Sequence, residues 1–60
     1  MDPLVRQKND LLALIHCGEL ALATTVLDFL APSWAASNYG YKATELRALI
    51  GQALVRREYR

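Results

Sequence analysis

Cysteine and histidine are almost missing from this 60-residue chain, which holds one of each, Cys17 and His16. A single thiol excludes an internal disulfide, and no Cys/His set has the spacing of a metal site. Three glycines and two prolines are too few for a hairpin-rich β fold, and no alternating strand pattern appears anywhere. No uninterrupted apolar run reaches the ~18–20 residues of a membrane span, and no basic stretch leads into an apolar segment at the start. Net charge is also scarce. Seven Lys+Arg against six Asp+Glu leave +1, which makes no case for a chain-wide attraction to nucleic acid or membrane. A cytoplasmic location is expected, and the lone thiol agrees with a reducing compartment.

What is present is apolar surface. Hydrophobic residues make up 53% of the chain and charged ones 22%, so there is enough to drive collapse and a disordered tail is excluded. The length allows one small domain over residues 1–60, or a fragment of a longer helical array. A chain this short buries only ~60% of the surface that its unfolded form exposes, which leaves its own core marginal. With disulfide and metal set aside, the remaining supports are a partner chain or more of the same polypeptide. Charge is unevenly placed: residues 1–41 carry Arg6 and Lys8 against Asp2, Asp10, Glu19 and Asp28, a balance of −2. Residues 42–60 carry Lys42, Arg47, Arg56, Arg57 and Arg60 against Glu45 and Glu58, a balance of +3.

The periodicity predicts an all-α fold of three antiparallel helices over about 3–17, 19–37 and 42–58. Asp2-Pro3 is a helix start, with a side-chain acceptor followed by a ring whose φ suits the first turn. Leu4, Leu11, Leu14 and Ile15 recur on one face, and Gly18 supplies a left-handed residue past the helix end. In the second segment Leu20, Ala23, Leu27, Leu30, Ala31 and Trp34 form one face, with Leu22, Val26 and Phe29 as an adjacent stripe. At 100° per residue this arc covers roughly 200°, against the ~100° or more of a surface helix, so two neighbours are expected to cover it. Pro32 lacks the N–H that would bond Asp28, yet Trp34 keeps the register, so a kinked continuation to about Ser37 is expected. Asn38, Tyr39 and Gly40 form the next turn. Leu46, Leu49, Ile50, Ala53 and Leu54 then stand at i, i+3, i+4, i+7 and i+8, the stripe of a third helix whose last turn is rich in arginine.

The run from Leu11 to Ala23, with Gly18 between a leucine-rich and a Leu/Ala-rich helix, followed by Val26-Leu27 and Leu30, is similar to the hairpin of tetratricopeptide-like repeats. The run from Gly40 to Leu54 resembles the first helix of a following repeat. Shifting the chain by 39 places sets Leu11 on Ile50, Ile15 on Leu54 and Glu19 on Glu58. Over residues 9–60 the chain resembles the helical-repeat region of the large MalT-type, LuxR-family bacterial transcription regulators. That resemblance implies a non-enzymatic role in which stacked hairpins receive a partner protein or effector, with transcription regulation as the setting.

Few residues offer chemistry. His16 and Cys17 are adjacent, so their side chains point about 100° apart, and no Asp or Asn is placed to orient the imidazole. Asp10, Glu19 and Asp28 are spaced across different helices with no evident pocket to separate their pKa values. No catalytic, metal or cofactor residue is therefore assigned, and no enzyme activity is expected. Trp34, Tyr39 and Tyr41 gather near the second turn, either as an aromatic contact surface or as core with tyrosines at its edge. Arg47, Arg56, Arg57 and Arg60 offer a basic surface on the third helix, and Arg56 and Arg60 lie one turn apart. The expected partner is a protein, with self-association or a longer parent chain supplying the missing core. The alternative is a small dimeric regulator that binds DNA or a host regulator through the basic third helix.

Overall fold

The computed structural model describes residues 2–58. It contains three helices, α1 (Pro3–His16), α2 (Leu20–Ala36) and α3 (Gly40–Glu58), and no strand among the described residues. The start of α1 and the ends of α1 and α2 have local causes. Asp2 is extended (φ −61°, ψ 125°) and its Oδ1 accepts from the Leu4 N–H at 2.9 Å, while Pro3 occupies the first helical position. At the other end of α1, Gly18 has φ +79°, the Glu19 N–H donates to the Leu14 carbonyl at 3.0 Å and the Gly18 N–H to Ile15 at 3.1 Å. This pair of backward bonds is the Schellman closure, and it satisfies carbonyls that the helix end would leave free.

The same closure recurs at the end of α2, with a different residue at its left-handed position. Asn38 has φ 58°, Tyr39 donates its N–H to the Trp34 carbonyl at 2.7 Å, and Asn38 donates to Ala35 at 3.2 Å. The predicted turn therefore ends sooner than expected: Gly40 is the first residue of α3, two positions before the expected start at 42. Pro32 lies inside α2, which continues to Ala36 as expected. Trp34 explains the continuation. Ending the helix at Ala31 would withdraw from the core a side chain that is completely buried.

Two long-range bonds fix the directions. Gln7, near the start of α1, meets Trp34, near the end of α2, and Arg57, near the end of α3, reaches Gly18 in the first turn. The helices thus run up, down and up. Leu11, Ala23, Leu27, Trp34, Ala43, Leu46 and Ile50 make the core, drawn from all three helices.

The sequence pattern overstates how much of α2 and α3 is covered. All three helix pairs touch, so α1 and α3 approach α2 from the same side and leave its outer stripe open. Leu22 and Phe29 are exposed, and of that stripe only Val26 packs against the core. On α3 the buried line is Ala43, Leu46 and Ile50, while Leu49 and Leu54 remain exposed at its two margins. A further difference concerns the internal repeat. Helix α3 stays helical through Arg56, Arg57 and Glu58, the positions that the 39-residue shift sets against Cys17, Gly18 and Glu19, so no turn stands there. Among the described residues no helix is long and apolar enough to cross a membrane.

Candidate functional site

The aromatic group divides into core and surface. Trp34 is fully buried, which removes it from the expected contact surface. Its indole N–H donates to Gln7 Oε1 at 2.8 Å, and Tyr39 meets its ring edge-on with centroids 5.3 Å apart at 77°. Trp34 and Tyr39 are the two residues whose side chains commonly touch across a Schellman closure, so the turn itself brings the pair together. Tyr39 is half-buried in consequence. Tyr41 is exposed, with its ring 5.6 Å from that of Tyr39 and the Lys42 ammonium 5.7 Å from its centre. Lys42 also donates to Glu45 Oε2 at 2.9 Å. That hydrogen bond holds the amine above the ordinary lysine value of 10.5. The lysine's share of this contact in folding is present below its ordinary value and is lost as the pH rises through the raised one.

The arginines do not form one stripe. Arg47 bonds Asp28 of α2 at 2.6 Å. Arg57 donates to the Gly18 carbonyl at 3.3 Å. Arg56 lines the groove between α1 and α3 with Leu12, Ile15, Leu49 and Ala53. Nine residues separate Arg47 from Arg56, which at 100° per residue sets them on opposite sides of the helix. A single basic face for tracking a phosphate backbone is therefore not built by Arg47, Arg56 and Arg57. Arg60, the fourth member, lies outside the described residues.

The residues weighed for chemistry stay apart. His16 and Cys17 are both exposed at the end of α1, beside a shallow groove that Leu20, Ala53, Arg56 and Arg57 complete. Asp10, Glu19 and Asp28 are exposed, and Asp28 is the one paired with Arg47. No group of three or more His, Cys, Asp or Glu side chains gathers to hold a metal among the described residues.

The feature that sequence reasoning assigned to the wrong place is the outer stripe of α2. Phe29 is 83% exposed and Leu22 49% exposed, two turns apart on one side of the helix. The polar residue between them is muted. Thr25 donates its hydroxyl to the Ala21 carbonyl at 3.1 Å, and beside it Thr24 donates to Leu20 at 2.9 Å. Asp28 is the sole charge within Leu20–Ala36, and Arg47 engages it. The signal was present in the composition of α2: a helix with one charge in 17 residues has no solvated face to turn outward. Neither protein-family models, nor curated proteins, nor solved structures match the chain.

Proposed function

We propose that the chain is a non-enzymatic protein–protein interaction module, and that the outer stripe of α2, centred on Leu22 and Phe29, is its contact surface. The observation that carries this is the exposure of Phe29, 83% in a helix with no free charge. Aromatic side chains supply much of the binding energy at interfaces, and a contiguous apolar stripe on a small soluble fold marks such a site. Tyr41, on the far side of the second turn, is a secondary contact. A regulatory setting, with the hairpin of α1 and α2 receiving a partner as in helical-repeat regulators, rests on the resemblance of residues 9–60 alone. The DNA-binding alternative draws less support, because Arg47 and Arg57 are engaged within the fold and Arg56 stands on the far side of α3 from Arg47.

A photoreactive phenylalanine analogue at position 29 tests the reading in cells that express the full chain. A discrete cross-linked species is expected from position 29 and none from position 48, on the exposed side of α3. Equal labelling from both positions, or none from position 29, would count against the α2 surface.

A further inference from the structure

We infer that the groove between α1 and α3 binds a medium-chain aliphatic carboxylate, with its head at Arg56 and Arg57 and its tail over Leu49 and Leu12. The site lies apart from the α2 stripe and does not depend on the interaction-module reading. Two stretches that share Ile15, His16, Ala53 and Arg56 make one continuous groove along these two helices, which run in the same direction. Its ends differ in character. Leu12, Ile15 and Ala53, half-buried, and Leu49, exposed, form an apolar floor. His16, Arg56 and Arg57 gather at the end beside the first turn. No carboxylate lines either stretch, and Glu19, exposed in the same turn, stands outside them.

Charge selects the head. Arg57 donates through Nη2 to the Gly18 carbonyl at 3.3 Å, and that bond holds its guanidinium at the end of the groove. Arg56 has no ion-pair or hydrogen-bond partner among the described residues. A guanidinium presents a planar fork of donors that matches the two oxygens of a carboxylate. The C-terminal ends of α1 and α3 also meet here, each equivalent to roughly half a negative charge, and the start of α2 returns about half a positive one. Two guanidiniums outweigh these dipoles by on the order of one charge, so a singly charged anion is attracted and a cation repelled.

The floor selects the tail. None of Leu12, Ile15, Leu49 and Ala53 can hydrogen-bond through its side chain, so an extended peptide laid there would leave backbone groups without partners. A helical partner satisfies its own backbone but needs area. From Arg56 back to Leu49 the floor runs two turns, a patch ~10 Å long and ~10 Å wide, far below the ~800 Å² that each side of a standard protein interface supplies. The two stretches hold about 280 and 410 Å³, near the lower end of the ~300–1,000 Å³ of small-molecule sites. An alkyl chain needs no hydrogen bond, and two turns of α3, ~10 Å, accommodate about eight extended carbons.

Titration of the isotope-labelled full chain with sodium octanoate, followed by amide chemical shifts, reads the site directly. Saturable shifts are expected at Leu12, Ile15, Ala53 and Arg56 and none at Thr25 or Phe29, with a dissociation constant of about a millimolar for an open groove and a ligand of about ten heavy atoms. Acetate, the head without the tail, and octylammonium, the tail with the opposite charge, should each bind about tenfold more weakly or worse. Arg56→Gln and Leu49→Ser should weaken octanoate to a similar degree, while Arg47→Gln, on the other side of α3, should leave it unchanged. All three side chains are exposed, so the variants should keep the helical circular dichroism of the parent. Octylammonium on the unaltered chain tests the charge even where a variant unfolds. No saturable shift, shifts centred on the α2 stripe, equal binding of octylammonium, or indifference to Arg56→Gln in a folded variant overturns the site. Tighter binding of octyl phosphate than of octanoate overturns the carboxylate head. None of these results alters the cross-link expected from position 29, so the groove and the α2 surface fail separately.

Discussion

Asn38 and Gly18 occupy equivalent left-handed positions after α2 and α1, and the difference between them is testable. An L-residue at positive φ carries strain that glycine does not, of roughly 1–2 kcal/mol before any local compensation. Asn38→Gly should therefore raise stability modestly, and Gly18→Ala should lower it by about 1 kcal/mol or more, although a Cβ on Gly18 meets nothing within 4 Å. Thermal melts of the two variants check the opposite signs. Gln7 is a second case in which a single polar atom matters. Replacing it with Leu leaves the buried Trp34 N–H without its acceptor, at a cost of about 1–3 kcal/mol, measured by denaturant unfolding. No spacing rule marks Gln7, because its role depends on a partner 27 residues away. Asp2, by contrast, was legible as a cap from its position before Pro3.

At the level of the helices, existence and order could be read from periodicity, and boundaries shifted by one or two residues where caps decided them. Helix α2 shows where the pattern stopped being informative. Its apolar arc is too wide for one neighbour, yet arc width does not say whether two neighbours lie on opposite sides or on the same side. In a bundle of three mutually touching helices they lie on the same side, and the surplus remains outside. This predicts a sharp contrast along one helix. Leu27→Ala should destabilise by about 2–5 kcal/mol, since Leu27 is fully buried. Phe29→Ala, two residues on, should change the stability of the isolated monomer by no more than about 0.5 kcal/mol. Similar costs for the two would mean that the stripe is covered within one chain.

At the scale of the molecule, the ion pairs Lys42–Glu45 and Arg47–Asp28 seen among the described residues are peripheral. They are partly to largely exposed, and pairs of this kind contribute little to stability because water and salt screen them. Raising the salt concentration to about half molar, where screening lengths fall to a few ångströms, should thus shift the unfolding midpoint only slightly while sparing or strengthening association through the α2 stripe. The uneven charge between the halves was visible from the composition. That it would fail to make a basic face was not, since Arg47, Arg56 and Arg57 are dispersed around one helix and only a three-dimensional arrangement assigns Asp28 and Gly18 as their neighbours. The single tryptophan, finally, gives the molecule its own optical reporter. Trp34 is dry, hydrogen-bonded and flanked edge-on by Tyr39, so its emission should lie to the blue in the folded chain and move to the red on unfolding. Because Trp34 sits on the inward side of α2 and Phe29 on the outward side, that colour follows folding and stays silent to docking, which lets one sample separate the two events.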